Sequence, residues 1–155
     1  MILLEKNNKL HEIKETSFSS EKEMQLLCEK NIKVLLNLEQ IATEYNLANY
    51  RFDTLAYNKE DKSFVIIEYK NKTNYSVIDQ GIAYLNTLLD NKAEIVLTYN
   101  KKYNKNLNKD NFSWEATQVI FIAPEFSKYQ KDSLRKNLPI RLFEISKHNE
   151  IINFL

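Results

Sequence analysis

Apolar residues recur along this chain with two different periods, and the change of period marks out its elements. Ser20-Glu21-Lys22-Glu23 has the form of a capping box, with Ser20 as N-cap and Glu23 three residues on. Met24, Leu27, Cys28, Val34, Leu35 and Leu38 follow at roughly helical spacing and predict a helix over about 20–37. Gln40–Tyr45 predicts a short strand. Tyr50–Tyr57 and Ser63–Lys70 are rich in β-branched and aromatic residues. The polar run Asn58-Lys59-Glu60-Asp61-Lys62 between them predicts a hairpin. Ser76 is placed to cap a helix that runs to about Asp90, with the stripe Val77, Ile78, Ile82, Leu85, Leu88 and Leu89. Glu94–Tyr99 and Gln118–Ala123 read as apolar strands, with an exposed loop over Asn100–Asn111 between them. Pro124 closes the second strand, Glu125–Asn137 reads as a helix and Pro139–Ser146 as a last strand. The predicted order is α-β-β-β-α-β-β-α-β. A hairpin-rich start followed by alternation predicts an α/β fold, with a mixed central sheet flanked by helices.

Length and composition narrow the class. The 155 residues fit a single domain with its core over about 18–147, and 43% hydrophobic residues supply that core. The one cysteine, Cys28, excludes an intrachain disulfide and a cysteine-rich zinc site, and it points to a reducing, cytoplasmic location. No apolar run approaches the length of a membrane span or a signal peptide. The only glycine, Gly81, excludes glycine-rich phosphate loops. A net charge of +1 gives no global field for nucleic acid, so a binding surface would have to be local.

The chemistry concentrates in Phe64-Val65-Ile66-Ile67-Glu68-Tyr69-Lys70. Side chains alternate along a strand, so Glu68 and Lys70 share a face, with Cα atoms roughly 6.5–7 Å apart. The neighbouring hairpin strand, Arg51-Phe52-Asp53-Thr54-Leu55, brings Asp53 alongside and completes the pattern D-x14-E-x-K. Carboxylate oxygens are hard ligands that hold Mg²⁺ or Mn²⁺ while leaving positions for water and phosphate. Such an ion polarises a phosphoryl oxygen and acidifies bound water, and a lysine can orient that water or stabilise developing charge. The set suits phosphodiester hydrolysis; a solvated ion pair at a strand end is the other reading of Glu68 and Lys70. Gln80 and Tyr84, spaced i, i+4 on the following helix, project together to one side of its apolar stripe. Glu21 opens the first helix, as a third carboxylate or as a charge on the helix dipole. Glu29 reads as a helix surface charge.

These residues together resemble the PD-(D/E)xK, or restriction-endonuclease-like, nuclease superfamily. More narrowly, the chain resembles an uncharacterised bacterial and archaeal family that carries the label "predicted transport protein". The likeness runs through Glu21-Lys22-Glu23-Met24-Gln25-Leu26, Glu29-Lys30-Asn31, Arg51–Ala56, Phe64–Lys70, Ser76–Leu85, Trp114 and Val119–Ala123. It is also similar to the catalytic domain of a mismatch-cleaving DNA endonuclease family. That resemblance implies a site of Glu21, Asp53, Glu68, Lys70, Gln80 and Tyr84. Asp53, Glu68 and Glu21 would hold Mg²⁺, and Lys70 would orient the attacking water. The proline of the motif is absent, since Phe52 precedes Asp53. A non-catalytic nucleic-acid-binding or protein-interaction module on the same fold would have no need to keep the acidic and lysine set.

Lys101, Lys102, Tyr103 and Lys105, with Tyr99 and Lys109, form a basic, aromatic-bearing loop that could track a nucleic-acid phosphate backbone and stack a base, or lie as a solvated surface. Lys128, Lys131, Arg135 and Lys136 read as a solvated helix face. Cys28 and Trp114 read as packing residues, and His11 and His148 as surface residues. With no recognition module attached, the domain would need a partner protein, a second copy or a structural feature of its substrate.

Overall fold

Alternation along Ser63–Tyr69 sets the architecture. Phe64 and Ile66 enter one apolar cluster, and Val65, Ile67 and Tyr69 the other, so this strand is buried on both faces. In the computed structural model, which describes residues 1–72, 76–134 and 137–155, it is strand β5 of a six-stranded sheet. The preceding elements are β1 (Ile2–Lys6), β2 (Lys9–Ile13), α1 (Glu21–Lys30), α2 (Ile32–Leu36), β3 (Glu39–Leu47) and β4 (Tyr50–Asn58). After β5 come α3 (Val77–Asp90), α4 (Lys92–Tyr103), β6 (Gln118–Ala123), α5 (Lys128–Ser133), β7 (Ile140–His148) and β8 (Ile151–Phe154). The sheet order is β3-β4-β5-β6-β7-β8, with β5-β6 and β6-β7 parallel and the other pairs antiparallel. Residues of α3 and α4 pack in one cluster and residues of α1 and α2 in the other, giving the expected mixed sheet between helical layers.

Several expectations are corrected. Glu94–Tyr99 is not a strand but the middle of helix α4. Its β-branched residues suggested a strand, yet Ile95, Val96 and Tyr99 are the buried ones, which is helical spacing. The helix continues through Lys101 and Lys102 and stops at Asn104, whose left-handed backbone (φ 51°) caps it. The expected loop therefore begins only there, and it carries a short 3-10 turn at Lys109–Asn111. The first helix breaks at Asn31, which turns Ile32 inward and leaves Val34 86% exposed. The hairpin β1–β2 and the strand β8 were not anticipated. The hairpin β1–β2 carries little buried surface, so it lacks the core periodicity by which a strand is read. Among the described residues the later helix spans Lys128–Ser133, and Arg135 and Lys136 lie outside the described residues. No helix among the described residues is long and apolar enough to cross a membrane.

Helix α3 meets the sheet closely at Gly81. A Cβ built there would lie 2.8 Å from Ile140 Cδ1 and 3.2 Å from Phe121 Cε2, inside ordinary contact distance. This turns Val77, Gly81, Tyr84 and Leu88 to the core. Ile82, expected in the stripe, is 42% exposed, and Tyr84 lies in the buried face rather than beside it. Cys28 and Trp114 pack as expected: Cys28 is buried beside Met24, and the indole of Trp114 stacks on Phe64 at 5.4 Å.

Candidate active site

Strands β4 and β5 pair from Asn58↔Ser63 to Thr54↔Ile67, and one step further the register would set Asp53 against Glu68. There the side chains replace the ladder. The Asp53 backbone N–H donates to Glu68 Oε1 at 2.9 Å, and the Tyr69 N–H donates to Asp53 Oδ2 at 3.1 Å. On the other side, the β3–β4 register passes from Thr43↔Thr54 to Tyr45↔Phe52 and skips Asp53 with its opposite residue Glu44. Glu44 has a left-handed backbone, φ 48°, costly for a residue with a Cβ. Phe52 and Leu55 consequently enter the same core cluster although three residues apart, so the alternation of β4 slips at Asp53.

By its place after Phe64 and Ile66, Glu68 faces α3. It is 4% exposed. Burial, then the Asp53 carboxylate and a hydrogen bond to it, pushes the Glu68 carboxyl well above the usual carboxylate range. The Asp53 N–H and the charge of Lys70 act in the opposite direction and are outweighed. Lys70, half-buried, follows at the end of β5, where its backbone N–H donates to the Ile122 carbonyl at 2.9 Å. Tyr84 is buried against Phe52, ring centroids 5.0 Å apart, and accepts a 3.0 Å hydrogen bond from Gln80 Nε2. Its hydroxyl is held above the usual range, first by burial and then by the charge of Glu68. Tyr84 therefore stands within electrostatic reach of the carboxylates, with Gln80 bonded to it.

Glu21 stands apart. It is exposed at the start of α1, and its Oε1 accepts from the Asn71 N–H at 3.0 Å, just past Lys70. Among the described residues, no three His, Cys, Asp or Glu side chains gather around a common point. Asp53 and Glu68 are thus the two hard oxygen donors in contact with each other that could hold a divalent cation.

The basic segment lies at the other end of the strands. Tyr103 donates to Glu39 Oε2 at 2.9 Å. Glu39 pairs with Tyr57 and Tyr57 with Phe64, four residues from Glu68, or roughly 13 Å. Tyr103 is half-buried with its ring 4.8 Å from Tyr99, while Lys101, Lys102 and Lys105 are exposed. Tyr103 and Lys105 border an open cavity of about 620 Å³ with Glu39, Lys59 and Lys62.

Two residues next to the site escaped the sequence reading. Gln25 is 4% exposed, and the two N–H groups of its amide are shared among Glu29 Oε1 (3.0 Å), Thr43 Oγ1 (3.1 Å) and the Asp53 carbonyl (3.1 Å). Glu29, expected as a surface charge, is half-buried and also accepts from Thr43 Oγ1 at 2.8 Å and Thr54 Oγ1 at 2.7 Å. The available signals were their i, i+4 spacing on α1 and their place in the segments that carry the resemblance. Glu23 is also placed differently. Ser20 accepts from the Glu23 N–H as in a capping box, but the Glu23 carboxylate reaches back to Ser19 and pairs with Lys147 at 3.0 Å.

No family model matches the chain. An uncharacterised protein of Haemophilus influenzae is 40% identical over 153 residues, which are 97% of this chain and 51% of that protein. The chain thus spans about half the length of the curated relative it matches. Among solved structures, a repair endonuclease from Pyrococcus abyssi superposes with a TM-score of 0.53 and 20% identity, over 84% of this chain and 49% of that one. An EndoMS–double-stranded DNA complex gives 0.47 and 19%, over 86% of this chain and 48% of that one. SfsA from Pyrococcus furiosus with Ca²⁺ gives 0.39 and 15%, over 86% and 60%. The first of these carries the conclusion about class: the chain has the restriction-endonuclease-like fold.

Proposed function

We propose that this chain is a metal-dependent nuclease domain of the PD-(D/E)xK type, acting on DNA. The observation that carries this reading is the Asp53–Glu68 pair. Two carboxylates in contact, one of them buried, form a site that favours a cation, and hard oxygen donors suit Mg²⁺ or Mn²⁺. Bound there, the ion would polarise a phosphoryl oxygen and lower the pKa of a bound water. The fold shared with the repair endonuclease agrees with this chemistry.

In this reading the chain's own residues divide the work. Asp53 and Glu68 hold the ion, and the buried position of Glu68 keeps that end of the site poorly hydrated, which strengthens electrostatic contacts. Lys70 lies beside Glu68, where its ammonium orients the attacking water and stabilises charge developing on the phosphoryl group. Gln80 and Tyr84 line the helix side of the site. Glu21, held at Asn71, binds no inner position and acts at the rim. Lys101, Lys102 and Lys105 supply phosphate contacts away from the reaction, with Tyr103 held in the wall beside them. A second copy or a partner protein supplies recognition.

Incubation of plasmid and of single- and double-stranded oligonucleotides with Mg²⁺ or Mn²⁺ tests the reading. Cleavage that Asp53→Ala and Lys70→Ala abolish is the expected result. Cleavage unchanged in both variants would overturn the site. DNA binding without cleavage of any substrate would identify a binding module on the same fold.

A further inference from the structure

Asp53 has a Cα partner in neither of the registers that flank it, so neighbouring side chains must hold its backbone. Glu68 takes its N–H and Gln25 takes its C=O. We infer that Gln25, oriented by Glu29, is a positioning residue: it holds the slipped segment of β4 so that the Asp53 carboxylate stays against Glu68.

This inference rests on the proposed nuclease site and deepens it. Gln25 is almost fully buried, and such an amide is retained only with its hydrogen bonds made. It is anchored at i+4 by Glu29, whose Oε1 also gathers the hydroxyls of Thr43 and Thr54. These two threonines are the pair next to the skipped Glu44–Asp53 position of the β3–β4 register, which resumes at Tyr45↔Phe52. The network thus clamps the ladder beside the skipped position and reaches with one donor to the next residue, Asp53. The opposing residue, Glu44, has left-handed backbone, so regular pairing cannot hold Asp53 from that side. On the far side Asp53 Oδ2 takes the Tyr69 N–H. Without the donor from Gln25, the Asp53 peptide is free to rotate, and its carboxylate leaves Tyr69 and Glu68. A shift of this kind in a residue behind a metal ligand commonly costs about 10–100-fold in metal affinity or activity.

The informative variant exchanges the two side chains, Gln25→Glu with Glu29→Gln. The carboxylate–amide pair survives, and Gln at 29 still accepts from both threonines, but Glu at 25 offers no donor to the Asp53 carbonyl. A purely structural role is preserved by the exchange and a positioning role is lost. Gln25→Met, which removes the donor but keeps the volume, serves as the second variant. Three measurements decide. In metal-free protein, amide hydrogen exchange at Asp53 and Tyr69 should quicken by about ten-fold or more, while Leu55 and Ile66 keep their protection. Mn²⁺ affinity should fall by about ten-fold, and kcat should fall similarly with KM unchanged. Unchanged exchange at Asp53 and Tyr69 in a folded variant of either kind overturns the inference. If the wild-type chain neither binds Mn²⁺ nor cleaves, the nuclease reading fails, and the exchange measurement still decides the role of Gln25.

Discussion

Asp53 and Glu68 each hold the other's strand: Glu68 accepts the Asp53 amide, and Asp53 accepts the amide of Tyr69, the residue after Glu68. The pair closes the β4–β5 ladder with side chains where backbone pairing stops. Removing either carboxylate therefore frees a strand end as well as removing a proposed ligand. Asp53→Asn and Glu68→Gln keep one acceptor each and separate the two effects. Both variants should stay folded by circular dichroism and lose Mn²⁺ binding by calorimetry. Retained Mn²⁺ affinity in both would remove the pair from the metal site.

The raised pKa of Glu68 gives a pH signature. Its folded value lies above that of the unfolded chain, about 4.3, so the unfolded state loses this proton first as pH rises. The metal-free protein should therefore lose stability from about pH 4.3 upward until the folded carboxyl ionises. Glu68→Gln removes the loss, and at pH 8 in EDTA it should exceed the wild type by more than about 1 kcal/mol in urea denaturation. A variant less stable than wild type under those conditions contradicts the assignment.

Metal binding should expel that same proton. Within the pH window just described, Mn²⁺ should bind more tightly as pH rises and release close to one proton per site. Calorimetry in buffers of different ionisation enthalpy measures the release directly. Binding that is independent of pH from 5 to 8 would place the ion elsewhere.

Glu21→Ala separates the expectation raised by sequence resemblance from the observed geometry. The carboxylate accepts from Asn71, and among the described residues it forms no group of three acidic, His or Cys side chains with Asp53 and Glu68. Its removal should leave Mn²⁺ affinity unchanged within error, whereas the resemblance implies a loss like that of Asp53→Asn.

The far-end lysines make a prediction of a different kind. Lys101, Lys102 and Lys105 are exposed and flank Tyr103, which is bonded to Glu39 at the end of the strands away from Glu68. Replacing all three with Ala should weaken DNA binding and leave kcat unchanged. The salt dependence of binding should flatten by up to about 0.9 in slope for each phosphate that is no longer neutralised. An unaltered slope makes these lysines a solvated face.

The sheet and its candidate chemistry were legible because they rest on short-range rules. Alternation put Glu68 and Lys70 on one face of a strand, and the hairpin spacing brought Asp53 beside them. The error at Glu94–Tyr99 shows where such rules fail: Ile95 and Val96 have β-forming side chains, but the packing of Tyr99 one helical turn on decides the element. Gln25 and Glu29 were hidden for another reason. Their partners, Thr43, Asp53 and Thr54, lie 14 to 28 residues away, and nothing in helix α1 records that contact. The slip at Asp53 is likewise written in the backbone of Glu44, a residue ordinary in sequence.

Gly81 stands between Gln80 and Tyr84, and no Cβ fits between it and Ile140. The absent methyl acts as a depth gauge for the site. It fixes how low helix α3 sits over the sheet, and with it how far the phenol of Tyr84 descends toward Glu68. Any larger residue at this step would push the helix off Ile140 and Phe121 and lift Tyr84 with it.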